Sequence, residues 1–183
     1  MTTSLVVTVT GTDRPGIVNL LSDAAQRFGA NWAESRMASV AGQFAGIVHF
    51  EVADGEAEQL ANALRGLTSA GLQLVIARGD ISPPPGTRRM VRLELVGHDR
   101  PGIVRELSGS LARRGVSIDE LHTEVASAAM SAERLFTIKA LLQVPADLAN
   151  EELRRELEAL ADEMMVDIEV EVRASDGESR GNL

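Results

Sequence analysis

Gly11-Thr12-Asp13-Arg14-Pro15-Gly16-Ile17-Val18 returns later in the chain as Gly97-His98-Asp99-Arg100-Pro101-Gly102-Ile103-Val104. The offset of 86 residues also aligns Leu21 with Leu107, Ser22 with Ser108, Arg27 with Arg113, Gly29 with Gly115 and Glu34 with Glu120, without a gap. Solenoid units repeat every ~20–50 residues, so a repeat of this length is a whole small domain. Two copies of one module, each carrying the same Gly/Pro loop, point to paired binding sites rather than one catalytic centre.

Outward from that loop, each copy reads as strand, helix, strand, strand, helix, strand. Leu5, Val7 and Val9 alternate with less apolar neighbours, as a strand does. Pro15 opens a helix whose apolar positions Ile17, Leu20, Leu21, Ala24, Ala25 and Phe28 keep helical spacing until Gly29 ends it. Residues 31–40 and 43–53 form a hairpin through Ala41-Gly42, residues 56–70 a second helix and 72–78 the last strand. The second copy has a strand at 90–96, a helix at 101–114, a hairpin from 117–126 to 134–144, a helix at 149–162 and a strand at 165–173. In that last strand Asp167, Glu169 and Glu171 alternate with Val166, Ile168, Val170 and Val172, which gives it one wet and one buried face. The fold class is α+β: two ferredoxin-like βαββαβ domains, each an antiparallel sheet with both helices on one face. The expected domains are residues 1–79 and 89–174, joined by a stiff Pro-rich linker at 80–88 and followed by a polar tail at 175–183. Phe44 aligns with Phe136 only if the second hairpin loop is about six residues longer. Residues 126–132 of that loop, with Met130 at the tip, read either as a mobile flap or as a tolerated surface insertion.

Composition narrows the function classes. With 183 residues and 44% hydrophobic content, the chain has room for two domains of about 80–90 residues, each with its own core. No apolar run approaches the ~18 residues of a bilayer span, and Met1-Thr2-Thr3-Ser4 lacks the basic start of a signal peptide. A cytoplasmic protein without membrane association is therefore expected. The absence of cysteine excludes a disulfide framework, a thiolate nucleophile and a cysteine-based metal site. The net charge of −9 divides as 5 basic against 8 acidic residues through Gly86, then 13 against 19. Neither half offers the basic stripe that a phosphate backbone requires, so no direct nucleic-acid partner is expected.

The chemistry lies in the repeated Asp-Arg-Pro-Gly loop. Proline near the first helical position lacks an N–H that would be orphaned there, and the following glycine lets a ligand or another backbone come close. The N–H groups of Gly16, Ile17 and Val18, and of Gly102, Ile103 and Val104, then form an anion pocket at the positive end of a helix dipole. A carboxylate fits there, and Asp13 or Asp99 stands ready to accept a hydrogen bond from an ammonium group. Together they would hold an α-amino acid by both charged ends. The plainer reading of the same residues is that aspartate caps the helix and Pro-Gly makes the turn.

The βαββαβ pattern with Asp-Arg-Pro-Gly-Ile-Val opening its first helix resembles the ACT domain, a small regulatory module that senses amino acids. Two such domains joined by a proline-rich linker resemble the glycine cleavage system transcriptional repressor family. The similarity covers about residues 4–173, and extends to Gly29-Ala30-Asn31 and Val144-Pro145-Ala146-Asp147-Leu148. The resemblance implies ligand contacts from the loops, Asp13-Arg14-Pro15-Gly16-Ile17-Val18 and Asp99-Arg100-Pro101-Gly102-Ile103-Val104, and from the start of the second strand of each copy, Asn31 and Ser117. Where the family places amide side chains, only Asn31 keeps one. It also implies a non-enzymatic regulator that senses a small amino acid, forms a homodimer and acts on a protein partner such as a transcription regulator of glycine metabolism. The rivals are a pure assembly module and a detached regulatory subunit of a metabolic enzyme.

Other motifs carry less. His49, His98 and His122 lack the spacing of a helical metal site, although the fold could bring His98 and His122 together, and His98 in place of Thr12 could make the second loop pH-sensitive. No nucleophile-base-orienter arrangement, Walker loop or Rossmann glycine pattern is present, so neither catalytic residues nor a cofactor nor a metal is expected. From the acidic balance, a gel-shift experiment at physiological salt should leave DNA unshifted; a shift that fades with rising salt would reveal a basic patch assembled by the fold.

Overall fold

The computed structural model describes residues 1–79, 88–127 and 133–172. The linker residues 80–87, the tip of the longer loop at 128–132 and the chain from residue 173 onward lie outside the described residues. The chain divides into two compact units, Met1–Pro83 and Pro84–Leu183. The first comprises β1 (Thr2–Thr12), α1 (Ile17–Arg27), β2 (Asn31–Val40), β3 (Gln43–Ala53), α2 (Ala57–Gly66), a 3₁₀ turn (Leu67–Ala70) and β4 (Leu72–Arg78). The second comprises β5 (Arg88–His98), α3 (Ile103–Arg113), β6 (Ser117–Ser127), β7 (Arg134–Pro145), α4 (Asn150–Met164) and β8 (Val166–Val172). Each forms a four-stranded sheet, ordered β2-β3-β1-β4 and β6-β7-β5-β8, with every neighbour antiparallel. Both are the expected ferredoxin-like βαββαβ fold.

Alternation along the strands decides which face each sheet buries. In the first domain Leu5, Val7 and Val9 on β1 and Val48, Phe50 and Val52 on β3 point inward, onto Ile17, Leu21, Ala24 and Ala25 of α1 and Leu60 and Leu64 of α2. In the second, Val91, Leu93 and Leu95 with Ile138, Ala140 and Leu142 meet Ile103, Leu107 and Leu111 of α3 and Leu153, Leu157, Leu160 and Met164 of α4. One position shows how the copies diverged. Phe28, packed on the first core, gives way to Arg114, which pairs with Glu156 and, at 2.7 Å, with Glu152 on α4. Buried Ser110 donates to the same Glu156 at 3.1 Å, so a polar link replaces an aromatic between the two helices.

Three junctions set where strands turn and helices begin, and two of them recur in both copies. The hairpin through Ala41-Gly42 has positive φ at both residues, 50° and 78°, the turn whose twist matches that of paired strands. A register shift falls at the same place in both copies, between Trp32 and Glu34 and between Ile118 and Glu120. Helix α1 begins at Ile17 and α3 at Ile103, two residues later than Pro15 and Pro101 suggest. The reason is Gly16 and Gly102, at φ 93° and 101°, a conformation that no helical residue shares. The expected second helix of the first copy, 56–70, is likewise an α-helix to Gly66 and a 3₁₀ turn beyond it.

Phe50 is fully buried, and Trp32 meets it edge-on with ring centroids 5.2 Å apart and planes at 84°. Trp32 is the single tryptophan, so its fluorescence reports the first core. Phe50→Ala should lower the stability of that domain by about 3–5 kcal/mol in urea unfolding followed at Trp32. A loss below about 1 kcal/mol would mean that the core refills around the deleted ring.

Candidate functional site

Both Asp-Arg-Pro-Gly loops occupy the same strand-to-helix junction. Gly11 and Gly97 end the central strand under the start of the last one. A Cβ on Gly11 would lie 2.9 Å from Leu72 Cδ2, and one on Gly97 would overlap Val166 Cγ1. The loop aspartates continue the ladder through their backbones: Asp13 N–H donates to Gly42 O at 2.9 Å and Asp99 N–H to Arg134 O at 3.0 Å. The first helical hydrogen bonds are Leu20 N–H to Gly16 O and Glu106 N–H to Gly102 O. Among the described residues, no protein acceptor takes the N–H groups of Gly16, Ile17, Val18 or of Gly102, Ile103, Val104. The aspartates do not cap the helices, because neither N-terminus has a side-chain cap. Ile17 and Ile103 are buried in the cores, so they offer a ligand only their backbone N–H, whereas Val18 and Val104 are exposed.

The two loops differ in what their side chains do. In the first, Arg14 donates to Ala70 O at 2.7 Å and ties the loop to the 3₁₀ turn. The Asp13 carboxylate makes no hydrogen bond or ion pair among the described residues, and a Cβ on Gly16 would meet nothing within 4 Å. The mouth of the first helix is open. In the second, Asp99 pairs with Arg134 at 3.2 Å. Arg100 forks onto Glu106, Nη1 to Oε1 at 3.0 Å and Nη2 to Oε2 at 2.7 Å. Glu106 stands where the first copy has Leu20, and its Oε1 lies 3.2 Å from the Cβ position of Gly102. A carboxylate of the chain itself thus leans over the second helix N-terminus, already matched by a cation.

Asn31 and Ser117 are not beside these loops. Asn31 pairs with Glu51, whereas the loop follows Thr12, which pairs with Gln43 at the other end of β3. Eight residues of strand separate those rows, roughly 26 Å at ~3.3 Å per residue. Asn31 Nδ2 donates to Glu51 Oε2 at 3.2 Å, and Ser117 Oγ accepts from Arg88 Nη1 at 3.2 Å. Within one domain neither can touch a ligand held at the loop. The histidines also stay apart: His98 lies in the row of Leu135 at the end of β5, and His122 in the row of Lys139 on β6, two strands away. What sequence reasoning missed is a depression of about 290 Å³ on the sheet face turned away from the helices, where Ser4 Oγ and His49 Nε2 lie 2.6 Å apart. The repeat gives no sign of it, because Leu141 replaces His49 in the second copy.

The profile of the ACT domain family matches residues 3–76 and 89–171. Among solved structures, an unknown protein from Galdieria sulphuraria shares 33% identity and superposes with a TM-score of 0.84, over 95% of this chain and all of that one. A candidate glycine cleavage system transcriptional repressor shares the fold at 22% identity and a TM-score of 0.68, over 93% of this chain and 97% of that one. No curated protein sequence matches.

The hydrogen bond from Arg100 holds the Glu106 carboxyl below the ordinary carboxylate range, against the opposing effect of desolvation. A carboxylate with a depressed pKa contributes its stabilisation above the unfolded-state value and loses it as pH falls through the folded one. In a carbon-detected NMR titration, Glu106 should protonate at lower pH than ordinary glutamates, and Arg100→Gln should return it to their range. An unchanged midpoint in that variant would show that the fork does not persist in solution.

Proposed function

The chain belongs to the ACT domain family, and from that premise we propose that it is a non-enzymatic regulator which takes up a small α-amino acid at the loop of its first domain. The observation that carries this reading is the contrast between the two copies of one motif. Gly11 is accounted for by packing, Arg14 by its bond to Ala70, and Gly16 by its positive φ, but nothing in the fold uses Asp13 or the N–H groups of Gly16, Ile17 and Val18. Those N–H groups, at the positive end of the α1 dipole, suit a carboxylate, and Asp13 suits an ammonium. In the second domain Arg100 and Glu106 satisfy one another and Asp99 is matched by Arg134, so Pro101, Gly102, Ile103 and Val104 serve there as structure. Asn31 and Ser117 do not reach such a site within their own domain, and the loop reading does not depend on them. Binding would shift the balance of conformations presented to a protein partner, such as a transcription regulator of glycine metabolism. The likeness to a candidate glycine cleavage system transcriptional repressor supports the tie to transcriptional control of glycine metabolism.

A thermal-shift screen against the twenty amino acids tests the proposal, because a ligand that binds only the folded state raises its stability by mass action. Calorimetric titration of the ligand found should give one site per chain. Asp13→Ala should weaken binding by about 1.5–3 kcal/mol, the range for a hydrogen bond to a charged group, with the circular dichroism spectrum unchanged. A folded Asp13→Ala protein that binds as tightly as the parent would move the site elsewhere, and no shift with any amino acid would favour the pure assembly module.

A further inference from the structure

The two sheets share their inner faces but not their outer ones. On the outer face of the second domain, adjacent strands carry Glu120, Leu141, Arg92 and Glu171 in one row and His122, Lys139, Glu94 and Glu169 in the next. The first domain has a different surface at the same positions. One row reads Glu34–His49–Val6–Ala77 across β2, β3, β1 and β4, and the next reads Arg36–Ile47–Thr8–Val75. Val75 is 70% exposed and Ile47 is 45% exposed. The second domain shows that this fold tolerates Lys139 and Glu169 at those two places, so their apolar character in the first domain is not a demand of folding. Exposed apolar side chains on β3 and β4, where charged ones would serve, indicate that something covers this part of the face.

We propose that the outer face of the first domain is a contact between two copies of this chain, related by a two-fold axis that crosses the strands between those two rows. A two-fold interface must be complementary to itself, and these rows are. The axis lays each row on the other row of the second copy, so Arg36, which pairs with Glu34 of its own chain at 2.5 Å, also comes opposite Glu34 of the second copy, and Val75 meets the small Ala77. Ile47 meets the depression beside His49 and Ser4. Aligned sheet packing, at roughly −30° between strand directions, keeps such pairing near the axis. Size agrees as well. Four strands ~4.8 Å apart, the longest of 11 residues, give a face of roughly 19 by 35 Å, on the order of 650 Å², close to the ~800 Å² per partner of a stable interface. This contact is independent of amino-acid binding at the loop.

Sedimentation equilibrium of the full chain tests it. The parent should be a dimer. Val75→Glu and Ile47→Lys, each the residue type that the second domain carries at that place, should each weaken self-association about a hundredfold or more, because they bury an unmatched charge. Circular dichroism and Trp32 fluorescence should stay those of the parent. Arg36→Glu alone should also weaken the dimer by setting like charges across the axis, and combining it with Glu34→Arg should restore it. A parent that stays monomeric at all concentrations, as it would if a different protein covers the face, overturns the proposal. So does a dimer indifferent to both Val75→Glu and Ile47→Lys, and a double charge swap that fails to restore pairing overturns the assigned axis.

Discussion

Burial of one sheet face under two helices is the constraint on which each domain rests. Four antiparallel strands present one row of side chains in two to that face, and α1 and α2, or α3 and α4, must cover all of it within fewer than ninety residues. That requirement explains why Leu21 and Leu107, Val7 and Leu93, or Phe50 and Leu142 correspond so closely between the copies, all of them essentially without solvent exposure. It also explains what was free to change. Residues on the opposite face lie under no helix of their own domain, and there the copies differ most, from Val6, Thr8 and Val75 to Arg92, Glu94 and Glu169.

The strand-to-helix loop carries a second constraint. To send the chain from the end of the central strand back over the sheet as a helix, the backbone has to reverse within four residues. Gly16 and Gly102 make the reversal through a positive φ, and Gly11 and Gly97 allow the last strand to pass close by. Most of the motif that first attracts notice is therefore architecture. Its conservation between the copies says little about ligand, and the informative positions are those where identical residues meet different neighbours. Arg14 reaches a backbone carbonyl while Arg100 meets Glu106, and the cause is one substitution a helical turn away, from Leu20 to Glu106.

The same reasoning explains what the amino-acid sequence made legible. Element order, the two-residue hairpin at Ala41-Gly42 and the wet and buried faces of β8 follow from local rules, turn chemistry and a period of two, and they can be read from neighbours in the chain. Helix starts were less accurate, since proline signals the approach to a helix while the φ of the next residue decides where it begins. Asp13 and Asn31 lie apart within one domain for a different reason. Both flank the first helix in sequence, but α1 carries the chain back along the sheet, so β2 starts at the end opposite the loop. Only the sheet order and register contain that information, and they are set by long-range pairing.

Duplication gives this chain an internal control that a single domain lacks. Where both copies keep a residue in the same backbone conformation, as at Gly16 and Gly102, the fold accounts for it. Where one copy fills a contact that the other leaves open, as Glu106 does over Gly102, the fold has shown that it can do without the opening. An opening retained at Gly16, with Asp13 beside it and no side chain drawn over it, is then a feature that stability does not explain. By the same logic the exposed Ile47 and Val75 are not the residue of imperfect folding, because Lys139 and Glu169 show the alternative that folding accepts. Both surfaces of the first domain that depart from its twin, the loop end and the outer sheet face, are thereby separated from the core that the two domains hold in common.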